Sequence, residues 1–473
     1  MPNITNYSAD EGFFGFFTEI SRIPRGSGNT KGIADYLVDF AKKRGLEYKR
    51  DTADNVVIKK PATEGFADRP TVIIQGHTDM VLQSESGTAN DMSNEGVKLV
   101  VDGDLLRAEG TTLGADDGIA VAYALALLDS TDIPHPAIEA VFTSDEEIGL
   151  LGAAALDCSD LQGKIMINID SDVEGVFTVG CAGGRRVDIT LPVVSEAASG
   201  EKYTLLIDGL LGGHSGIEID KGRTNAAKRI ADYLAALGSI RLISLDGGVA
   251  DNAIPPSARA EFTAEADIAE LYTAIEETKN SIPEGAERES VTLVKSGSAK
   301  TALTAEDTKK LISLITELPS GIIAMSQDIE GQVETSLNLG ILRLEKAEAS
   351  ISFSLRSSKG DEKQALAARL LKIAEKYGAG YEEHGDYPGW DFKKDSHLRD
   401  VMCKVYSEMY GKDAEVITIH AGLECGIFSD KIDGLDCVST GPDAFDIHTP
   451  KERLSIPSAI RFWEYLIRVL KNI

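Results

Sequence analysis

The chain has 473 residues, 42% of them apolar, and a formal net charge of −28 at pH 7. That length exceeds one ordinary hydrophobic core, so two domains are expected, and the apolar fraction suffices to fill them. The acidic balance argues against nucleic acid or a membrane surface as the main partner.

Residues 9–21 and 29–44 are expected to form amphipathic helices, the second closed by Lys42, Lys43, Arg44 and the stop residue Gly45. Short strands follow at Tyr48–Asp51, Asn55–Lys60 and Val72–Gln75, the last uncharged and leading into Gly76-His77-Thr78-Asp79. The run Gly110-Thr-Thr-Leu-Gly114-Ala-Asp116-Asp117-Gly118 opens a nearly all-apolar helix, Ile119–Leu128. Strand Ile138–Thr143 runs into three consecutive acids, Asp145, Glu146 and Glu147, with a helix expected at Gly149–Leu156. Strand Lys164–Ile169 ends in Asp170-Ser171-Asp172. Apolar strands alternating with helices predict an α/β fold built on a mostly parallel sheet.

Leu191–Gly200, rich in Pro, Ser, Ala and Gly, reads as a linker. Beyond it come more clearly alternating strands at Tyr203–Asp208, Ala258–Ala264 and Ala349–Leu355, beside helical patterns over 224–238 and 361–377. The repetition suggests two similar halves. From about Glu383 the first pattern returns: helix Leu398–Tyr410, strand Glu415–Ile419 ending at His420, strand Asp436–Thr440, a loop holding His448, and helix Pro457–Leu470. An inserted α+β domain over 201–383 therefore divides the first domain into 1–200 and 384–473. The opening residues lack the basic and apolar regions of a signal peptide, and no apolar run reaches the length of a membrane span. Five scattered cysteines without a CxxC pair read as reduced thiols, which points to a cytoplasmic protein.

Several strand ends carry residues able to bind a metal: His77 with Asp79, Asp116, Glu146 and Glu147, Asp170, and His448 in a late loop. Open α/β sheets place ligands at the carboxyl ends of their strands. Each position has a plainer explanation: an acidic turn opening a helix, a capping aspartate, or an isolated surface histidine. Adjacent carboxylates repel, however, and a bound cation offsets that directly. Histidine and carboxylate donors without cysteine suit zinc, manganese or cobalt. Two histidines with three or four carboxylates suffice for two metals if one carboxylate bridges. A Gly-x-Ser-x-Gly elbow, a Walker loop and a His-Glu-x-x-His pattern are all absent from the sequence.

These motifs, together with Asn168-Ile-Asp170-Ser171, Gly180-Cys-Ala-Gly-Gly184, Gly212-Gly-His214-Ser-Gly216 and Ile419-His-Ala-Gly-Leu-Glu-Cys-Gly426, occur in order over most of the chain. In them the sequence resembles the M20 metallopeptidase family, in its Xaa-His (aminoacyl-histidine) dipeptidase branch. The resemblance implies a zinc-peptidase catalytic domain with an inserted lid. It also implies two divalent metal ions, zinc foremost with manganese or cobalt as alternatives. One metal would take His77, Asp116 and Asp170, and the other Asp116, Glu147 and His448, with Asp116 bridging. Asp79 would fix the His77 tautomer, and Glu146 would be the general base for a metal-held water. His214 would reach from the lid to steady the oxyanion, while Asn252 and Arg356 would hold the substrate backbone or its carboxylate. His420 and Glu424 would shape the pocket for the C-terminal residue.

The implied substrates are dipeptides, Xaa-His (including the β-alanyl-histidine type) among them with broad specificity, or N-acyl amino acids and short peptides in the alternative. A non-catalytic homologue would lack a ligand or the base, and neither is missing. In family members with a shorter lid the histidine acts across a homodimer. The longer insertion here leaves action within one chain open. In the family the peptide bond corresponding to Asp116–Asp117 is often cis.

Overall fold

The structure, a computed structural model, describes residues 12–281 and 289–473. The expected start of the first helix, at residue 9, lies outside them. The described residues form two compact units: those within 1–180 with 390–418 and 423–473, and those within 181–389 with 419–422.

The first unit is built on an eight-stranded sheet in the order 47–50, 56–60, 138–143, 72–77, 165–168, 436–439, 176–181 and 415–419. The four middle strands run parallel: Val72–His77 lies between Ile138–Thr143 and Ile165–Asn168, and Asp436–Ser439 continues beside the latter. The outer pairings are antiparallel where 47–50 meets 56–60 and 56–60 meets 138–143. The strands Val72–His77, Ile138–Thr143 and Ile165–Asn168 are buried at every position, which explains their largely apolar sequences. The carboxyl ends of the parallel strands therefore open on one edge, carrying His77, the 144–150 turn and Asp170.

Helix Ala115–Asp129 buries nearly all its side chains in this core, consistent with its lack of a polar face. Helix Lys31–Arg44 stops where expected, at Gly45 with φ 66°. Leu125, at 0% exposure in the apolar helix, should be costly to truncate. Leu125→Ala is expected to lower unfolding free energy by about 2–5 kcal/mol, read as a shifted urea midpoint with unchanged slope.

The second unit holds a nine-stranded antiparallel sheet whose main path runs 290–297, 201–208, 258–264, 240–247, 333–345, 348–357, 183–192 and 380–387. Apart from the short strand Gly321–Met325, which pairs with Val333–Glu345, it divides into two halves with the same strand–helix–strand–strand–helix–strand sequence. One half comprises strand Glu201–Asp208, helix Ala226–Ala236, strands Ile240–Gly247 and Ala258–Ala264, helix Ile268–Ser281 and strand Ser290–Gly297. The other begins with strand Gly183–Pro192, is interrupted by the first half, and resumes with helix Ala305–Glu317 through strand Gly380–Tyr387. The halves join where Leu245, Asp246 and Gly247 pair with Leu344, Arg343 and Leu342.

This topology moves the domain boundary from 200/201 to 180/181 and from 383/384 to 389/390. Strand Gly183–Pro192 pairs along its length with Glu348–Ser357, so it belongs to the inserted unit. The segment expected to be a linker contains the end of that strand and another short one, Ser195–Ala197, paired with Thr301–Leu303.

Candidate metal centre

The parallel strands deliver their ligands by simple continuation. His77 is the last residue of its strand and is 1% exposed. Its Nε2 lies 3.0 Å from Asp116 Oδ1 and 3.8 Å from Asp170 Oδ1. Asp116 follows Gly114 at the head of the apolar helix, where the Asp116–Asp117 peptide bond is cis. Its other oxygen, Oδ2, lies 3.0 Å from His448 Nε2, which also approaches Glu147 Oε1 at 3.1 Å. His448, with φ 61°, sits in the loop between short strands Ala444–Phe445 and Arg453–Ser455, which pair with each other.

Three sets of donor atoms cluster within 4.8 Å: His77, Asp116 and Asp170; Asp116, Glu147 and His448; and His77, Glu146 and Glu147. Asp116 is common to the first two, each of its oxygens facing a different histidine. Among the described residues these are the sets with metal-binding geometry.

Electrostatics point the same way. Burial works to lower the His77 imidazole, but Asp116, Asp79 and Asp170 outweigh it and hold it well above the usual range. Asp116 and then Glu147 push His448 up to about 10. Burial raises Asp170 well above the carboxylate range and Glu146 to about 8, Glu146 also feeling Glu424, Glu147 and Asp116 against the pull of His77. This concentration of carboxylates draws positive charge onto the imidazoles. The donor set fits divalent cations, which would supply that charge directly.

Asp79 is completely buried and ties the centre together. His77 Nδ1 lies 3.1 Å from its backbone oxygen and 3.3 Å from Oδ1. The Asp79 carboxylate also accepts the N–H groups of Glu146 at 3.0 Å and Glu147 at 3.4 Å, and the Ser27 hydroxyl at 2.8 Å. Asp145, left without a role by its sequence context, accepts the Gly28 N–H at 2.6 Å. Asp117 belongs to none of the donor sets and accepts the backbone N–H of His77 at 3.1 Å.

The remaining site residues fall in the second unit, with one exception. His214 pairs with Ala253 in a two-residue antiparallel bridge, beside Asn252, whose backbone oxygen accepts the Ser215 N–H. Nδ1 of His214 accepts the N–H groups of Gly216 at 3.1 Å and Ile217 at 3.3 Å, which leaves its proton on Nε2 as a free donor. Burial, and then the Arg356 charge, keep this imidazole neutral by lowering its pKa. His420 is buried, with Nε2 2.7 Å from Ser336 Oγ, and burial with Arg356 lowers it to about 4. Arg356 donates to the Tyr387 hydroxyl at 3.2 Å.

The exception is Glu424, expected to shape a substrate pocket beside His420. The structure instead places it in the first unit at 0% exposure. There it accepts Thr143 Oγ1 at 2.7 Å and Gln75 Nε2 at 2.5 Å, and Asn168 Nδ2 donates to Gln75 Oε1 at 2.5 Å. It therefore braces three parallel strands beneath the centre, a role set by contacts hundreds of residues apart in sequence.

A sequence profile of Peptidase family M20/M25/M40 matches residues 73–472. The cytosol non-specific dipeptidase of Escherichia coli (strain K12) is 36% identical over 467 residues, 97% of this chain and 96% of the relative. The crystal structure of aminoacylhistidine dipeptidase from Vibrio alginolyticus superposes with a TM-score of 0.93 at 34% identity, covering 100% of this chain and 98% of that one. Aminopeptidase PepT from Bacillus cereus shares the fold at 17% identity and a TM-score of 0.63, covering 98% of this chain and 99% of that one. With the family profile spanning most of its length, the chain belongs to peptidase family M20/M25/M40.

Proposed function

We propose that the chain is a metal-dependent dipeptidase that cleaves dipeptides with a free C-terminal carboxylate, Xaa-His among them. The observation that carries this reading is the pair of three-donor clusters sharing Asp116, with Glu146 beside them. His77, Asp116 and Asp170 would hold one cation and Asp116, Glu147 and His448 the other, with zinc the ion best matched to this donor set and manganese or cobalt compatible with it. Bound there, a divalent pair would lower the pKa of water and draw charge from a substrate carbonyl.

The chain's own residues supply the rest. Glu146 belongs to the third donor cluster with His77 and Glu147 but to neither cation set, so its carboxylate is free to take a proton from the attacking water and return it to the leaving amine. Cation charge would pull Glu146 down from the raised range it occupies by burial, into the range where it accepts a proton at neutral pH. The backbone N–H groups of Glu146 and Glu147 on Asp79 hold this turn in place. His214, neutral with its Nε2 proton available, suits donation to an oxyanion. Arg356, whose Nε makes no hydrogen bond, offers its fork to a carboxylate.

A panel of Xaa-His (including β-alanyl-histidine), other dipeptides, tripeptides and N-acetyl amino acids on metal-loaded protein tests the reading. Dipeptides are expected to dominate, and a preference for tripeptides or N-acyl amino acids would replace the substrate assignment. Arg356→Ala should raise KM for free dipeptides by about 10–100-fold while leaving the already poor C-terminal amides unchanged. An equal effect on acids and amides would remove Arg356 from carboxylate recognition.

A further inference from the structure

Two buried charged residues outside the metal-donor set meet on the turn that presents Asp116. Arg25 is 2% exposed and donates through Nη1 to the backbone oxygens of Thr78 at 2.9 Å and Asp79 at 3.2 Å. Its Nη2 donates to the Gly114 oxygen at 2.5 Å. Glu452 is also 2% exposed and approaches the same turn through its amide groups. Oε2 accepts the N–H of Leu113 at 2.8 Å and of Gly114 at 2.9 Å, and Oε1 accepts that of Ala115 at 2.8 Å and of Asp116 at 3.3 Å.

One side chain thus holds the carbonyl side of the turn and the other its successive N–H groups. The arrangement also accounts for the two glycines flanking the acids. Gly114 has φ 70°, and a Cβ there would lie 2.5 Å from Arg25 Nη2. A Cβ on Gly118 would meet the same atom at 2.5 Å. Among the charges around Arg25, Glu452 acts on it most strongly, ahead of Asp79, Asp117 and Asp116.

The clamp also joins pieces of chain that meet nowhere else in sequence. Arg25 links the turn to the segment after His77, since Thr78 and Asp79 are its other acceptors. Glu452 belongs to the loop that carries His448, four residues earlier. The segments that carry the two histidines facing Asp116, His77 and His448, are therefore both referenced to the turn that presents it.

We infer that Arg25 and Glu452 are positioning residues that set the bridging carboxylate Asp116 for two cations at once. The inference rests on the two-metal reading of the centre. Neither residue need touch metal or substrate. Their effect passes through the rigid 113–116 backbone, as outer-sphere partners of metal ligands generally act.

The test uses full-length, metal-stripped wild type, Glu452→Gln, Arg25→Lys and the double variant Arg25→Met/Glu452→Gln. Affinity for Co2+ and Zn2+ is measured by competition with a chromophoric chelator. The Co2+ visible spectrum reports ligand geometry, and circular dichroism reports metal-free thermal stability. Glu452→Gln is expected to weaken cation binding by about 10–100-fold and to change the Co2+ bands. Arg25→Lys should fall between it and wild type, because a point donor cannot span the carbonyls that a guanidinium fork reaches.

Leu125→Ala supplies the control for a purely structural effect, with reduced thermal stability and unchanged Co2+ affinity and spectrum. The double variant removes one positive and one negative charge together and so keeps the net charge around the turn, which guards against unfolding of the single variants. Its weak binding in a folded state would support the inference. Wild-type Co2+ affinity and spectrum in the folded double variant or in Glu452→Gln would overturn it. A wild-type protein that binds no divalent cation would overturn the two-metal reading, and this inference with it.

Discussion

Replacing Asp116 by alanine is expected to remove both cations and lower kcat/KM by more than about 10³-fold, while the protein stays folded. Asp116 is the one carboxylate whose two oxygens face His77 and His448 separately, so its loss takes a donor from both clusters. The backbone of its turn is held independently of that side chain, which is why folding should survive. Elemental analysis should fall from about two divalent ions per chain to well under one. The metal-free variant gives a second readout. His448 is held at about 10 chiefly by Asp116 and next by Glu147, so without Asp116 its imidazole should titrate at lower pH, visible by NMR. Full metal content in Asp116→Ala would remove it as the bridging ligand.

Glu146→Gln should have the opposite pattern: metal content and KM preserved, and kcat lowered by about 10²–10⁴-fold. Glutamine keeps the shape of the side chain and cannot carry the proton. Because Glu146 belongs to neither of the cation sets that share Asp116, its replacement leaves six donors across the two sets in place. Turnover near that of wild type would end its assignment as the base. Loss of metal together with activity would make it a ligand instead.

Much of the first unit was legible because its central strands are short, apolar and followed at once by their functional residues. His77, Asp116, Glu147, Asp170 and His448 could each be read as the residue after a strand or in a loop beside one, and the structure brings those five together. What escaped reading depends on distance along the chain. Nothing local to Asp145 points to Gly28, 117 residues away, and nothing local to Glu424 points to Gln75, 349 residues away. Arg25 and Glu452 escaped for the same reason. Isolated charged residues ordinarily read as solvated, and only the folded turn reveals what they bind.

In the second unit the alternation of Gly183–Pro192 is blurred by adjacent Arg185 and Arg186 and by the small residues after Leu191. Only the strand's last two residues lie in the apparent linker 191–200, and the rest falls within the expected first domain. Its partner lies well over a hundred residues downstream, beyond the reach of any local pattern.

The split second half of that unit imposes an order of assembly on a chain made from its amino end. Gly183–Pro192 finds neither neighbour until Glu348–Ser357 and Gly380–Tyr387 exist, so it waits while the complete half between them can pair on its own. The first unit waits longer still. Strand Asp436–Ser439, and the hairpin whose second strand Arg453–Ser455 docks on Leu105–Ala108, are made only after the whole second unit. Pairings this remote carry a large loop-closure cost and make for slow folding. The donor cluster thus cannot close until the second unit has been made, and a nascent chain released before residue 448 has His77 and Asp116 but no second histidine to complete it.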